Sequence, residues 1–344
     1  MKKIIVTLAG VFCLALLCSN AFAVVKVRVA IQNAETAWGC MAATNDWLKA
    51  ITEVTNGEVV LDVYYNNTLC NSKDAWQATK SGVADMAWCV QGYWPGLTPL
   101  VEVVTLPGLP YKTSEAMSGA AYQLLEEFPE IREEFAGFQP LILHLDPHVF
   151  VSAKKPVHNM DDLKAMKVRV LGGPPTMQFT ALKATPILMP MPDIYMSLQK
   201  GTLDGGDLTW ESILAFRFYE LVDKYLEAPL GPSLITMIMN KRKWDAISPE
   251  GQAAIMEISG IKGSAQWGKN WSDAAKVVVL QRAEALRPNF EFVSLEGTAL
   301  KQWIDVSVTP IHKEWVASME KKGYSRAQQI LDRCIELGVL SLGK

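Results

Sequence analysis

The chain holds little of what catalysts are commonly built from. Its 344 residues include four histidines, and none of them (His144, His148, His158, His312) has a convincing nucleophile beside it in sequence. G-x-S-x-G, H-E-x-x-H, G-x-G-x-x-G and P-loop patterns are missing, which removes the local signatures of hydrolases, dinucleotide enzymes and nucleotide hydrolases. There is no C-x-x-C pair and no zinc-type Cys/His spacing. His144, Asp146 and His148 are close together, but Pro147 interrupts them and no fourth ligand is evident, so neither a metal nor a cofactor is expected. Charge of one sign is lacking too. With 33 basic against 36 acidic residues, scattered through one another, the net charge of −3 offers no footprint for nucleic acid. After the first 17 residues no apolar run reaches the about 18 needed to suggest a membrane span.

What is present begins with a leader. Lys2 and Lys3 precede the apolar run 4–17, and Ala21-Phe22-Ala23 follows, the pattern of a secretory signal cleaved before Val24. Leu17 stands before Cys18 where lipoprotein signals carry a small residue, which argues against a lipid anchor. The expected mature protein is therefore exported, keeping about 320 residues, enough for two domains with real cores.

Alternation over 25–31, a helix over 39–54, strand 59–65, a helix ending near Ser81 and strand 84–89 describe a parallel sheet with right-handed crossovers. Segments 141–144 and 149–152 read as strands leading out of it. A second unit repeats the theme: strand 168–170, helix 175–182, strand 187–189, helix 193–200 and strand 205–207. Strand 233–239 returns toward the first unit, Ser248-Pro249-Glu250 opens one long helix or two reaching about Arg287, and closing helices follow over 305–322 and 325–337. The expected fold class is α/β: a two-lobed clamshell with two mixed, mainly parallel sheets and long closing helices. Lobe I takes 24–146 plus 235–275, and lobe II takes 147–234 plus 276–344. Cys40, Cys70 and Cys89 then fall near the ends of neighbouring strands, and an oxidising compartment permits a bridge, with Cys40–Cys70 the first choice.

The stretch 156–210 carries the most specific signal. It reads Pro156-Val157, then Asp162-Leu163-Lys164-Ala165-Met166-Lys167-Val168-Arg169, Met189-Pro190-Met191-Pro192, Asp193-Ile194-Tyr195-Met196-Ser197-Leu198-Gln199 and Gly201-Thr202-Leu203-Asp204-Gly205. In this order the segments resemble those of the solute-binding proteins of tripartite ATP-independent periplasmic (TRAP) transporters, which bind organic acids. The resemblance implies a receptor that traps a small organic anion in an interlobe cleft and hands it to a membrane permease driven by an ion gradient.

It also implies that Arg169 clamps the ligand carboxylate. A guanidinium supplies two parallel hydrogen bonds, fixing charge and orientation together, which lysine cannot copy. Gly172-Gly173 would let the chain turn close to a ligand. After Asp204-Gly205 many relatives place an asparagine, whereas Gly206-Asp207-Leu208-Thr209-Trp210 stands here; Asp207 and Trp210 partly echo the 2-oxo-acid binders. His148 would stand in for a second basic residue. Trp38, Trp88, Trp94 and Trp210 fall in expected cleft loops, and Gln32, Asn33, Gln91 and Phe150 complete the candidate lining. Such a cleft suits an aromatic or hydrophobic carboxylate, an aryl acetate, an aromatic 2-oxo acid or an aromatic amino acid whose ammonium would meet Asp207 or Glu35. A short aliphatic 2-oxo or dicarboxylic acid is the alternative, and a cation carried with the ligand would use Asp207 and Glu211. A sensory ligand binder and an exported enzyme are the other function classes.

Overall fold

The computed structural model describes residues 23–343, so the expected leader, with Cys13 and Cys18, lies outside the described residues except for Ala23. Eleven strands form among them: β1 (Val25–Ala30), β2 (Val59–Tyr64), β3 (Met86–Val90), β4 (Phe138–Asp146), β5 (His148–Ser152), β6 (Lys167–Val170), β7 (Thr185–Leu188), β8 (Gly205–Thr209), β9 (Lys224–Glu227), β10 (Ser233–Asn240) and β11 (Glu291–Ser294). They make two sheets, ordered β2-β1-β3-β10-β4 in lobe I and β11-β9-β5-β8-β6-β7 in lobe II. The first three strands pair in parallel and β10 runs against β3 and β4. In lobe II, β6 pairs in parallel with β7 and β8, and β11 with β9, while β5 runs antiparallel to β8 and β9.

Alternation decides how lobe I packs. Val25, Val27 and Val29 face one core layer with Trp47, Leu48 and Ile51 of the helix Asn45–Val54, while Lys26 points to solvent. Successive side chains of a strand leave opposite faces of the sheet. Met86 and Trp88 therefore join that layer, whereas Ala87 and Cys89 join the other. This geometry overturns the expected Cys40–Cys70 bridge. Cys40 is buried in one layer and Cys70 packs against the other with the sheet between them, and Cys40, Cys70, Cys89 and Cys334 are all free thiols.

The edge strand β4 is buried along its whole length beneath the helices Ser114–Glu127 and Gly260–Gly268. Two serines from those helices satisfy the edge: Ser264 Oγ accepts from Leu143 N at 3.0 Å and Ser118 Oγ accepts from Leu145 N at 2.9 Å. An edge strand covered in this way cannot recruit another strand.

Four passages join the lobes. β4 continues through Pro147 into β5, residues 228–232 lead from β9 back to β10, a helical path runs from Gly260 to Leu286, and Val308 links the helices Gly297–Ser307 and Thr309–Lys321. The path from Gly260 is interrupted by the π-helical segment Lys269–Asp273 between its lobe I and lobe II portions. Such an irregular turn commonly marks a functional site.

Two expectations need correction. The helices Thr309–Lys321 and Ala327–Ser341 bury Ile311, Trp315, Met319, Ile330 and Leu331 in the lobe I core, so the last part of 276–344 packs with lobe I. Only the part through the helix Gly297–Ser307 packs with lobe II, through Trp303 and Val308. β9 and β11 were not expected. Each has four residues, too few to display a period of two clearly.

Candidate functional site

The C-terminal ends of β1, β3 and β8 converge where the lobes meet. The lobes are closed on one another. Gly172 N donates to Gly92 O at 3.0 Å, Met191 N to Tyr93 Oη at 3.1 Å and Gly39 N to Glu211 Oε1 at 3.1 Å, each bond crossing from one lobe to the other. Close approach at Gly92 and Gly172 requires glycine. A Cβ on Gly92 would lie 2.8 Å from Leu171 Cβ, and one on Gly172 would lie 2.7 Å from Pro95.

Between the lobes is a narrow cleft pocket that encloses about 300 Å³ of space, open solvent included. Gln32, Asn33, Trp88, Val90, Tyr93 and Ile235 line it from lobe I. Met191, Thr209, Glu211, Ser212 and Phe216 line it from lobe II, with Asp146 and Ser233 at the crossing strands. Tyr93 links the two sides, accepting from Met191 and donating to Gln32 Oε1 at 2.9 Å.

Arg169 lies fully buried on β6. Its Nε donates to Met189 O and its Nη1 to Asp207 O, both at 2.9 Å, and its Nη2 has no partner. Burial pulls the guanidinium pKa down, opposed by Tyr93 and Asp207. The Tyr93 phenol, a wall of the cavity, is close enough to Arg169 for the charge to bear on its own pKa, which burial raises. A buried cation with an idle donor beside a cavity is chemically unfinished, because an unpaired buried polar group costs free energy.

The aromatic wall is a ladder. Trp88 stacks on Trp271 with ring centroids 6.0 Å apart, Trp271 stacks on Trp267 at 5.8 Å, and Trp47 meets Trp267 edge-on at 5.5 Å. Trp271 sits in the π-helical segment of the crossing helix, so the wall is tied to the passage between lobes.

Several expected site residues lie elsewhere. His148 is buried with Nδ1 2.7 Å from Asp207 Oδ2 and Nε2 2.6 Å from Ser233 Oγ, so it orients Ser233 and occupies Asp207. Neither lines the cavity, and Asp207 Oδ1 has no partner. Glu35 is exposed and does not line the cavity. Trp210 stacks on Tyr225 in the lobe II core, with planes 3° apart, and Phe150 packs on Phe179 in that lobe's other core layer. Gln91 is spent on Thr236 Oγ1 at 2.9 Å and Thr98 Oγ1 at 3.2 Å. Trp38 donates to Trp271 O at 3.0 Å beside the cleft, and Trp94 packs against Trp76 outside it. Gln32, Asn33 and Trp88 do line the cavity.

Tyr93, Met191, Phe216, Ser212 and Ser233 are additional lining residues. Met191 stood in the quoted Met-Pro-Met-Pro run, and Thr209 with Ser212 forms a helix cap legible in sequence, Thr209 Oγ1 accepting from Ser212 N at 3.0 Å. Nothing local marks Tyr93 or Phe216.

Two carboxyls also face the cavity. Burial, then the nearby Asp146 charge, pushes Glu211 up to about 8. Burial pushes Asp146 up to about 6 against hydrogen bonds that pull it down. Asp146 Oδ1 accepts from Ser272 Oγ at 2.7 Å, and Ser272 Oγ is 3.0 Å from Nε2 of His144, which burial drives down to about 3 and holds neutral.

Two α/β lobes closed over a small cavity, with an unspent buried arginine beside it, define a solute-binding protein of the clamshell class. Residues 32–318 match the family described as bacterial extracellular solute-binding protein, family 7, and the chain belongs to it. Among relatives, the 2,3-diketo-L-gulonate-binding periplasmic protein YiaO of Escherichia coli is 26% identical over 270 residues, covering 77% of this chain and 81% of that protein. A TRAP solute-binding protein from Rhodoferax ferrireducens, solved with copurified benzoate, superposes with a TM-score of 0.85 at 24% identity, covering 93% of this chain and 99% of that one. A marine metagenome TRAP solute-binding protein specific for aromatic acid ligands, solved with 3-hydroxybenzoate, gives 0.86 at 23% identity over 93% and 99%. These superpositions establish the fold.

Proposed function

We propose that this protein is the extracytoplasmic receptor of a TRAP transporter, exported through residues 1–23 to the periplasm, where it traps an aromatic or otherwise hydrophobic carboxylate and delivers it to the membrane permease. The observation that carries this reading is the unpartnered Nη2 of the fully buried Arg169, which lies behind Tyr93 of a narrow interlobe cleft walled by Trp88, Tyr93 and Phe216. A carboxylate would complete the guanidinium's donors, and the aromatic walls would cover a flat body. Closure excludes water and so strengthens the ion pair. Benzoate and 3-hydroxybenzoate in two proteins of the same fold agree with a single-ring ligand. The role is binding and delivery, with no chemical step, and no helix among the described residues is long and apolar enough to cross a membrane. The permease is the expected partner.

A short aliphatic 2-oxo or dicarboxylic acid is the second reading, favoured by the polar wall of Gln32, Asn33, Thr209 and Ser233 and by the keto acid named for the Escherichia coli relative. Thermal unfolding against aromatic, aliphatic, keto and sugar acids separates the two. Ligand at about 100 times its Kd adds roughly 2.7 kcal/mol to stability. Shifts confined to aromatic acids support the first reading, shifts with small aliphatic acids replace it with the second, and no shift with any acid overturns both.

A further inference from the structure

We propose that Asp146 and Glu211 form a second polar subsite of the cleft, taking a hydroxyl group that the ligand carries about one benzene ring away from its carboxylate. The proposal rests on the reading that Arg169 grips that carboxylate. Both acids line the same cavity, at 1% and 3% exposure. Asp146 Oδ1 accepts from Ser272 and Glu211 Oε1 from Gly39 N, and the Thr209 hydroxyl and the Trp271 indole N–H also bear on the pair. A buried group on that wall is idle: Trp88 Nε1 has no partner, and its indole is 5% exposed. The described residues contain no set of three metal-ligating side chains, so the pair does not complete a cation site.

Placement sets the distance. Arg169 holds the Asp207 carbonyl on β8, and Thr209, whose hydroxyl bears on Asp146, lies two residues further along that strand. At about 3.3 Å per residue these two backbone positions on β8 are roughly 7 Å apart, the scale on which the two groups are separated along the strand. That is about the span from a carboxylate across one ring.

Charge selects a hydroxyl. The groups facing the pair are neutral His144, the Ser272 and Thr209 hydroxyls, the Trp271 indole, the Cys40 thiol and His148, whose charge favours ionised Asp146 but which already lies against Asp207. With Glu211 raised to about 8 and Asp146 to about 6, the two hold one proton between them near neutral pH. A hydroxyl can accept from the protonated acid and donate to the ionised one. A bare ring would leave both facing carbon in a dry site, and sites built to bond a hydroxyl reject analogues that lack it.

The test is calorimetric binding of benzoate, 3- and 4-hydroxybenzoate, phenylacetate, 4-hydroxyphenylacetate and 4-(aminomethyl)benzoate to the full chain. The expected result is a preference of about tenfold or more for the best hydroxylated acid over its parent. In Glu211→Gln and Asp146→Asn, each of which keeps an oxygen for its present donor, that ratio should fall toward one. Equal or tighter binding of the parent acids overturns the subsite while leaving the aromatic-carboxylate reading standing, as does first rank for the aminomethyl acid. Failure of every aromatic acid to bind overturns the subsite together with the reading beneath it. Where a variant does not fold, the ratio in the unmodified protein decides.

Discussion

Replacing Arg169 with methionine should separate binding from folding. In the free protein the guanidinium is fully buried, makes two bonds to carbonyls and has no carboxylate within ion-pair distance among the described residues. Removing it strands the Met189 and Asp207 carbonyls, at about 1–3 kcal/mol each. It also relieves the burial of an uncompensated charge, a penalty of several kcal/mol. The two nearly cancel, so urea unfolding should show ligand-free stability changed by no more than about 2 kcal/mol. Binding should respond very differently. A carboxylate closed into this cavity without its counter-charge loses about 3–5 kcal/mol, which is roughly 150- to 5,000-fold in Kd. Calorimetry with the best acid of the panel reads this directly. Arg169→Met binding within tenfold of the unmodified protein would refute the assignment of Arg169 as the clamp. Arg169→Lys should recover little, because one ammonium cannot serve two carbonyls and a carboxylate with fork geometry.

Stability should fall as pH rises from about 5 to 8. Glu211 and Asp146 keep protons in the folded state that the unfolded chain has already released, so each contributes stability below its unfolded pKa and loses it up to its folded value, about 8 and about 6. Urea midpoints across that range, with a slope of up to about 1.4 kcal/mol per pH unit per group, should flatten above pH 6 in Glu211→Gln; an unchanged slope contradicts the assignment. Ser118→Ala and Ser264→Ala should each cost about 1–3 kcal/mol by stranding an N–H of the buried edge strand β4, measured by chemical denaturation. Gly172→Ala places a Cβ 2.7 Å from Pro95 across the closed cleft. It should weaken ligand binding at least tenfold, a loss of about 1.4 kcal/mol, and enlarge the ligand-bound radius of gyration in small-angle scattering, with little change in the Tm of the free protein.

Local patterning made much of this architecture legible. Alternation in β1 and β2, turns between strands, and the quoted run from Pro156 to Gly205 specify two α/β lobes and place Arg169 at a strand end, because period and turn chemistry are properties of neighbours in sequence. Gln32, Asn33 and Trp88 were readable for the same reason, lying at or just after strands whose ends face the cleft. The other assignments depended on which face of an element looks inward and on what lies across from it. Trp210 and Phe150 stand beside cleft strands yet turn into the lobe II core. Cys40 and Cys70 are divided by the sheet that their spacing seemed to join. His148 and Asp207, far apart in sequence, lie against each other, Nδ1 2.7 Å from Oδ2. Tyr93, Phe216 and the Asp146–Glu211 pair become a site only when the lobes meet, since burial raises both acids and the Asp146 charge raises Glu211 further. Interactions between residues close along the chain made the two-lobed α/β class, most of its elements and the place of Arg169 at a strand end readable in the sequence. Closure of one lobe on the other decided what faces the ligand, because contacts and desolvation between distant segments have no trace in local pattern.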